Sequence, residues 1–188
     1  MDRDNQQETV KNTELAWLAG FLDSDGSVQI TMPQAEKAKQ KRVVNVWVDF
    51  SNGDAAIIEK ASGIIEKMGI SYHLASKKVR PIYKEDGSKF LPRKEICLAI
   101  RIGKLTSAKR ILEQLIPYMA GTKAAQSRII VRYCEKRIPK GRRPYESEDL
   151  MIVREFFENQ VNKVSIRNLL HLDGLLNDYT HGTAQVMI

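Results

Sequence analysis

The chain has 188 residues, of which 43% are hydrophobic and 28% charged, and it carries a formal net charge of +7. This length and composition are typical of a soluble globular domain and exclude a disordered chain or a short disulfide-stabilised one. The positive charge favours a polyanionic partner such as nucleic acid, although ribosomal, RNA-binding and membrane-surface proteins share it.

The predicted elements follow the order α-β-β-α-β-β-α-α. The first is a helix from Asn12 or Thr13, either of which can cap it, to Ser24, and strands over 27–32 and 43–50 follow. A second helix begins at Asn52-Gly53-Asp54 and ends at Gly69. The remaining elements are strands over 72–80 and 94–102 and helices over 107–116 and 123–136. Each strand has one polar face. We therefore predict an α+β fold with a four-stranded antiparallel sheet of αββαββα topology and helices packed on one face.

The chain changes character after residue 137. Residues 138–146 hold two prolines, a glycine and several basic residues, which indicate a linker. Ser147 and Ser165 are suitable helix starts, so residues 147–188 are predicted to form a C-terminal helical appendage to a core domain over 13–137. Residues 1–12 are predicted to be a disordered lead.

The compartment is predicted from the cysteines and the N-terminal segment. Cys97 and Cys134 form no CxxC pair, which indicates reduced thiols in a reducing environment. The polar N-terminal segment is unlike a signal or transit peptide, and no apolar run is long enough to span a bilayer. We expect an intracellular protein, in a prokaryotic cytoplasm or inside an organelle, that is not secreted and has no membrane partner.

One side of the first predicted helix carries very small residues. Residues 18–26 read LAGFLDSDG. Ala16, Ala19, Gly20 and Asp23 share a side of this helix, and three of them have almost no side chain. A second backbone can approach such a surface closely, so these four residues are predicted to form a helix–helix interface.

The acids follow at the end of that helix. An Asp-x-Asp-Gly sequence taken alone is often only a turn. If two copies of the helix pack together, however, their Asp25 carboxylates converge beside the turn at Gly26, and they repel each other unless cations lie between them. Hard divalent ions such as Mg²⁺ prefer oxygen ligands and also bind phosphate oxygens.

Residues 18–26 resemble the nine-residue signature of the LAGLIDADG homing endonucleases, with conservative departures at Phe21, Leu22 and Ser24. The resemblance implies a site-specific DNA endonuclease that leaves 3′ overhangs and promotes mobility of the intron or intein encoding it. It implies that Asp25 and the backbone carbonyl of Ser24 bind Mg²⁺, with Mn²⁺ or Ca²⁺ able to occupy the same sites. Asp23 is instead expected to form a hydrogen bond at the helix end.

The resemblance to the single-motif group of this family extends over residues 13–136. It implies a polar residue at the end of the second strand that orders water near the scissile phosphate. Asn52 matches best, Ser51 is one residue away, and a helix cap is the alternative role for Asn52. A basic residue before the late helix, matched by Lys123, is implied to stabilise charge at the cleaved bond. The predicted catalytic residues are Asp25, Asn52 and Lys123.

The open polar face of the sheet is predicted to be a DNA-binding saddle, since antiparallel strands can enter a major groove and present alternate side chains to bases. Its predicted members are Gln29, Thr31, Asn45, Trp47, Asp49, Ser76, Lys78, Arg80, Arg93, Glu95 and Arg101.

The motif occurs once, because the nearest second candidate, LLHLDG over residues 169–174, lacks the Ala-Gly pair and a following strand. One copy supplies half of a paired-acid site, so we predict a homodimer with a long near-palindromic double-stranded DNA target and no small-molecule cofactor. Two alternatives remain open. One is a non-cleaving nucleic-acid-binding protein on the same scaffold, such as an intron RNA maturase or a DNA-binding regulator. The other is a basic protein with an unrelated RNA-binding fold.

Overall fold

A computed structural model describes residues 10–32, 44–78, 82–83, 89–90, 96–141, 143–160, 168–170, 172–173 and 176. Its elements are α1 (Asn12–Ser24), β1 (Ser27–Thr31), β2 (Asn45–Asn52), α2 (Ala55–Lys67), β3 (His73–Lys78), β4 (Ile82–Tyr83), β5 (Lys89–Phe90), β6 (Ile96–Ile102), α3 (Leu105–Leu115), α4 (Gly121–Lys140) and α5 (Ser147–Glu158). The predicted order of helices and main strands is confirmed. Within the described ranges, no helix is both long and apolar enough to cross a membrane.

The main sheet has the strand order β1-β2-β6-β3, and all of its pairs are antiparallel. The central strands are therefore β2 and β6. Their register places Ser27 opposite Asp49, Asp49 opposite Arg101, and Arg101 opposite His73, so these four residues form one row across the sheet. The predicted four-stranded antiparallel sheet is confirmed.

One face of the sheet is buried under helices, and the hydrophobic alternation of the strands determines which face it is. The buried hydrophobic residues on this face of the main strands are Val28, Ile30, Val46, Val48, Phe50, Ile100 and Ile102. Complete burial of such a side chain contributes about 1.5–3 kcal/mol, and a slip of one residue in register would expose the whole set. The opposite face is polar and is left uncovered by these helices.

Three local predictions differ from the structure. The cap of α1 is Lys11, whose backbone N–H donates to the Glu14 carboxylate at 2.9 Å, so the predicted caps at Asn12 and Thr13 are wrong. Part of the loop predicted around Tyr83 is a short hairpin, in which β4 pairs with β5. Residues 138–140, predicted to begin a linker, continue α4 to Lys140.

The helix α5 packs on α4 and on the edge of the sheet. Its buried residues Leu150, Val153 and Phe156 belong to the same hydrophobic cluster as the sheet and α1. The fully buried Asp149 carboxylate accepts hydrogen bonds from Lys140 at 2.8 Å and from the backbone N–H of Glu146 at 3.0 Å. The division into a core and an appendage stays a prediction, and the helix predicted from Ser165 lies mostly outside the described residues, as do residues 1–9 of the predicted lead.

Candidate functional site

The acid at the end of α1 sits on a tight turn. The backbone N–H groups of Asp25 and Gly26 both donate to the carbonyl of Phe21 at 3.1 Å. A Cβ atom at Gly26 would lie 2.8 Å from the Cα and carbonyl oxygen of Leu22, a contact that real Cβ atoms do not make. Glycine at position 26 therefore allows β1 to begin directly against α1, and Asp25 is exposed at the junction.

The end of β2 holds this turn from one side. The side-chain N–H of Asn52 donates to Oδ2 of Asp25 at 2.9 Å, and the Ser51 hydroxyl donates to the Asp25 backbone carbonyl at 3.2 Å. The Asn52 carbonyl oxygen accepts the backbone N–H of Asp54 at 2.8 Å, which orients the amide. The cap of α2 is Asp54, whose carboxylate accepts from Ala56, so the alternative role of Asn52 as the cap is wrong.

The ammonium group of Lys123, on α4, also holds the turn. It donates to the backbone carbonyls of Leu22 at 2.8 Å, Asp23 at 2.5 Å and Gly26 at 2.8 Å. Burial lowers the pKa of Lys123, and the nearby carboxylates of Asp23 and Asp25 oppose that shift. An ammonium group has three donors, so Lys123 acts here as a cap for the C-terminal end of α1.

The predicted interface residues do not all lie on one surface. Ala16 and Gly20 are exposed, but Ala19 is fully buried within its own chain, so its predicted place in an interface is wrong. Asp23 is half-buried, and its Oδ2 accepts the backbone N–H of Ala120 at 3.3 Å, as expected for a hydrogen bond at the helix end. Its Oδ1 is buried and has no hydrogen-bond partner among the described residues. Leu18 and Leu22, which neighbour Ala19 on α1, are fully buried too, so α1 buries more of its surface within its own chain than the predicted pattern of small residues implies.

The surface that α1 does expose is a narrow strip of short side chains. It consists of Thr13, Ala16, Gly20 and Ser24, which we call the small strip. A Cβ atom at Gly20 would meet nothing within 4 Å, and the other three residues of the strip are exposed as well. It ends beside Asp25, where a shallow hollow continues to Asn52.

The donors available at this turn are those that suit a hard cation. Asp25 offers an exposed carboxylate and Ser24 offers a backbone carbonyl, which are the oxygen ligands that Mg²⁺ and Ca²⁺ prefer. Among the described residues, no group of three or more acidic, histidine or cysteine side chains could hold a metal ion. The predicted ligands of the chain, Asp25 and the Ser24 carbonyl, are oxygen atoms of the type that suits such an ion.

The open sheet face carries six of the predicted DNA-reading residues. They are Gln29, Thr31, Asn45, Trp47, Asp49 and Arg101. Three further polar residues on this face were not predicted to read DNA, namely Ser27, Ser51 and His73. The two serines could have been predicted, because Ser27 is two residues from Gln29 and Ser51 is two residues from Asp49, and every second residue of a strand lies on the same face.

The prediction for Ser76 on β3 was wrong by one residue. Ser76 is in register with Leu98, and Leu74 with the buried Ile100, so Ser76 belongs to the opposite side of the sheet. The predicted role of Lys78, which is in register with Ile96, stays a prediction. Leu74 was the signal for assigning the residues of β3 to the two faces of the sheet, because a strand places its large apolar residues on the core side. The predicted residues Arg80, Arg93 and Glu95 lie outside the described residues.

No known protein family and no curated protein matches the chain by sequence. Solved structures do match it. The archaeal intron-encoded homing endonuclease I-Vdi141I, complexed with DNA, is 12% identical with a TM-score of 0.61, and the match covers 90% of this chain and 98% of that one. The homing endonuclease I-CvuI, complexed with its target in the presence of Ca, is 19% identical with a TM-score of 0.53, covering 88% and 95%. I-TnaI, also a homing endonuclease, is 15% identical with a TM-score of 0.52, covering 87% and 96%.

At these identities the likeness establishes the fold. It extends over almost the full length of these neighbours, and it agrees with the motif at the end of α1 and with the topology of the sheet. The chain therefore has the fold of the LAGLIDADG homing endonucleases.

Proposed function

We propose that the protein is a site-specific endonuclease that hydrolyses both strands of a DNA target as a homodimer, using divalent metal ions. The observation that carries this proposal is the position of Asp25. Its carboxylate is exposed, fixed by Asn52, and placed at the end of the small strip. Two copies that pack along this strip bring two such carboxylates together, where cations relieve their repulsion.

A duplex partner is supported by the open sheet face and by the net charge of +7. The neighbours I-Vdi141I and I-CvuI are complexes with DNA. A homodimer has a two-fold axis, so the proposed target is long and near-palindromic. The expected 3′ overhangs and the mobility of an intron or intein belong to the same proposal.

In the proposed reaction, the chain's own residues position the reacting groups. Asp25 and the Ser24 carbonyl would hold the metal, which would activate water and stabilise the attacking and leaving oxygens. Asn52 uses one N–H to fix Asp25 and retains a second for a water molecule near the phosphate. Ser51 and Lys123 hold the backbone of the turn, so that little reorganisation is needed during the reaction.

The test begins with a target, obtained by selecting a randomised duplex library for binding in Ca²⁺. Cleavage of the selected duplex is then measured in Mg²⁺ and in EDTA, for the native protein and for Asp25→Asn. We expect Asp25→Asn to bind the duplex but to cut it at least about 100-fold more slowly, because a metal ligand is lost. The matched control is Asp54→Asn, which makes the same exchange at the α2 cap and keeps a good capping residue.

Two outcomes would contradict the proposal. Undiminished cutting by Asp25→Asn would refute the role of this carboxylate. Binding without any cutting by the native protein in Mg²⁺ would instead favour a non-cleaving regulator or maturase on the same scaffold.

A further inference from the structure

An ion pair with a buried acid lies in the centre of the open sheet face. Asp49 on β2 and Arg101 on β6 are directly opposite each other on the two central strands. The Asp49 carboxylate accepts Nε–H of Arg101 at 2.9 Å and Nη2–H at 3.1 Å. The Asp49 side chain is 5% exposed and that of Arg101 37% exposed, so the acid is covered while the arginine side chain reaches the surface.

An indole ring lies against this pair. The guanidinium carbon of Arg101 is 5.1 Å from the centre of the Trp47 ring, within the range of a cation–π contact. Gly103 makes room for the ring, since a Cβ atom there would come within 2.3 Å of Trp47 Cζ3. Arg101 is therefore held on one edge by Asp49 and supported by Trp47.

The remaining edge of Arg101 has a definite chemistry. The bonds to Asp49 use the edge formed by Nε and Nη2 and leave the edge formed by Nη1 and Nη2 without a hydrogen-bond partner in the described part of the chain. Two parallel N–H groups of this kind match the O6 and N7 acceptors that guanine presents in the major groove. Because Arg101 is already oriented, binding immobilises little additional side-chain freedom.

For a duplex that lies along the strands of the open face, the position of Arg101 on the sheet predicts its place in the target. Asp49, the partner of Arg101, lies three residues before Asn52 on β2. At about 3.3 Å per residue this separation is about 10 Å, and the rise of about 3.4 Å per base in a DNA strand makes it about three base steps.

We propose that Arg101, oriented by Asp49 and Trp47, recognises one guanine in each half-site, about three base pairs from the pair nearest Asn52. The inference rests on the proposed function only in that duplex DNA lies on the open face. Asp49 is then a positioning residue for Arg101, in contrast to its predicted role as a reader of bases. A location on the central strands, at the floor of the saddle, favours a base edge over a backbone phosphate as the partner of Arg101.

The experiment compares the duplexes selected in Ca²⁺ by the native protein, by Arg101→Ala, and by the double variant Asp49→Asn with Arg101→Gln. The double variant keeps a hydrogen-bonding pair of side chains and leaves no buried unpaired acid. We expect a guanine at one position of each half-site for the native protein and its loss from that position in both variants. Affinity for the native site should fall by about 10- to 100-fold for each half-site affected.

A third variant, Asp49→Asn alone, tests the positioning role. It retains Arg101 but weakens the contact that orients it, so we expect reduced discrimination at the same position with a smaller loss of affinity. The matched control is Arg154→Ala, which removes an arginine that pairs with Glu158 and Asp173 on the α5 side of the molecule. The preferences selected by the control should be unchanged.

Loss of affinity for all sequences alike, with a shallower salt dependence, would show that Arg101 contacts a phosphate and would overturn the inference. Unchanged preferences in Arg101→Ala would overturn it as well. Binding in Ca²⁺ does not depend on cleavage, so a protein that selects the guanine but never cuts would contradict the proposed nuclease and leave this inference intact.

Discussion

At the scale of single residues, Lys123 is fixed at the turn formed by residues 22–26, which we call the acid turn. Its ammonium group bonds to three carbonyls at the end of α1. A lysine free to approach the scissile phosphate would direct at least one of these donors into solvent. The geometry therefore indicates a structural role for Lys123, alongside the charge stabilisation that the resemblance implies.

Substitution of Lys123 by Met should loosen the acid turn. Partly buried carbonyls would lose their donor, which costs about 1–3 kcal/mol for an unsatisfied buried group. We expect a lower unfolding free energy in denaturant and faster hydrogen exchange at the amides of Asp25 and Gly26. The control is Lys109→Met, which removes a more peripheral ammonium paired with Glu113. If Lys123→Met unfolds like the native protein and loses only cleavage, the ammonium acts at the phosphate and not as a cap.

At the scale of elements, hydrophobic alternation was sufficient to predict much of the fold. It predicted the buried faces of β1 and β2, because burial of apolar side chains dominates at these positions. The same rule failed where a strand offered a single large apolar residue, as Leu74 does on β3. It also misplaced Ala19, since a small residue fits equally well in a core or at an interface.

The contacts around the acid were beyond prediction from local pattern. Asn52 and Asp25 are 27 residues apart in sequence, and Lys123 and Asp23 are 100 apart. Periodicity within one element gives no information on such distances. The motif predicted which acid matters, and the pairing of elements determined which groups hold it.

The helix α5 offers a test of how far the cooperative core extends. Phe156 is fully buried in the cluster that includes the sheet, so Phe156→Ala should destabilise the chain by about 3–5 kcal/mol. Both tryptophans, Trp17 and Trp47, lie in α1 and β2, and their fluorescence therefore reports unfolding of the core. We expect the fluorescence transition in denaturant to shift to lower concentration as a single step.

The control on the same helix is Met151→Ala, since Met151 is 62% exposed and should leave the transition nearly unchanged. An unshifted fluorescence transition in Phe156→Ala, with helical signal lost earlier, would indicate that the C-terminal segment unfolds as a separate unit. That result would support the predicted division between a core domain and an appendage.

At the scale of the whole molecule, one chain supplies one of the two Asp25 carboxylates that the proposed reaction requires. It supplies one exposed carboxylate at the acid turn, and the small strip leads away from that carboxylate along α1. A two-fold pairing of the strips would place two acid turns side by side and two open sheet faces along one duplex. The proposed reaction, the near-palindromic target and the two guanine contacts all depend on this pairing.

The most direct test is a disulfide crosslink between two copies of α1. Gly20→Cys is prepared in a Cys97→Ser background, bound to the selected duplex and oxidised; Cys134 is buried and remains in place. A disulfide requires Cα atoms within about 7 Å, so a covalent dimer should form if the strips meet. The control Glu59→Cys, exposed on α2, should stay monomeric. A DNA-bound dimer of Gly20→Cys that forms no crosslink would contradict the pairing, and with it the paired Asp25 site.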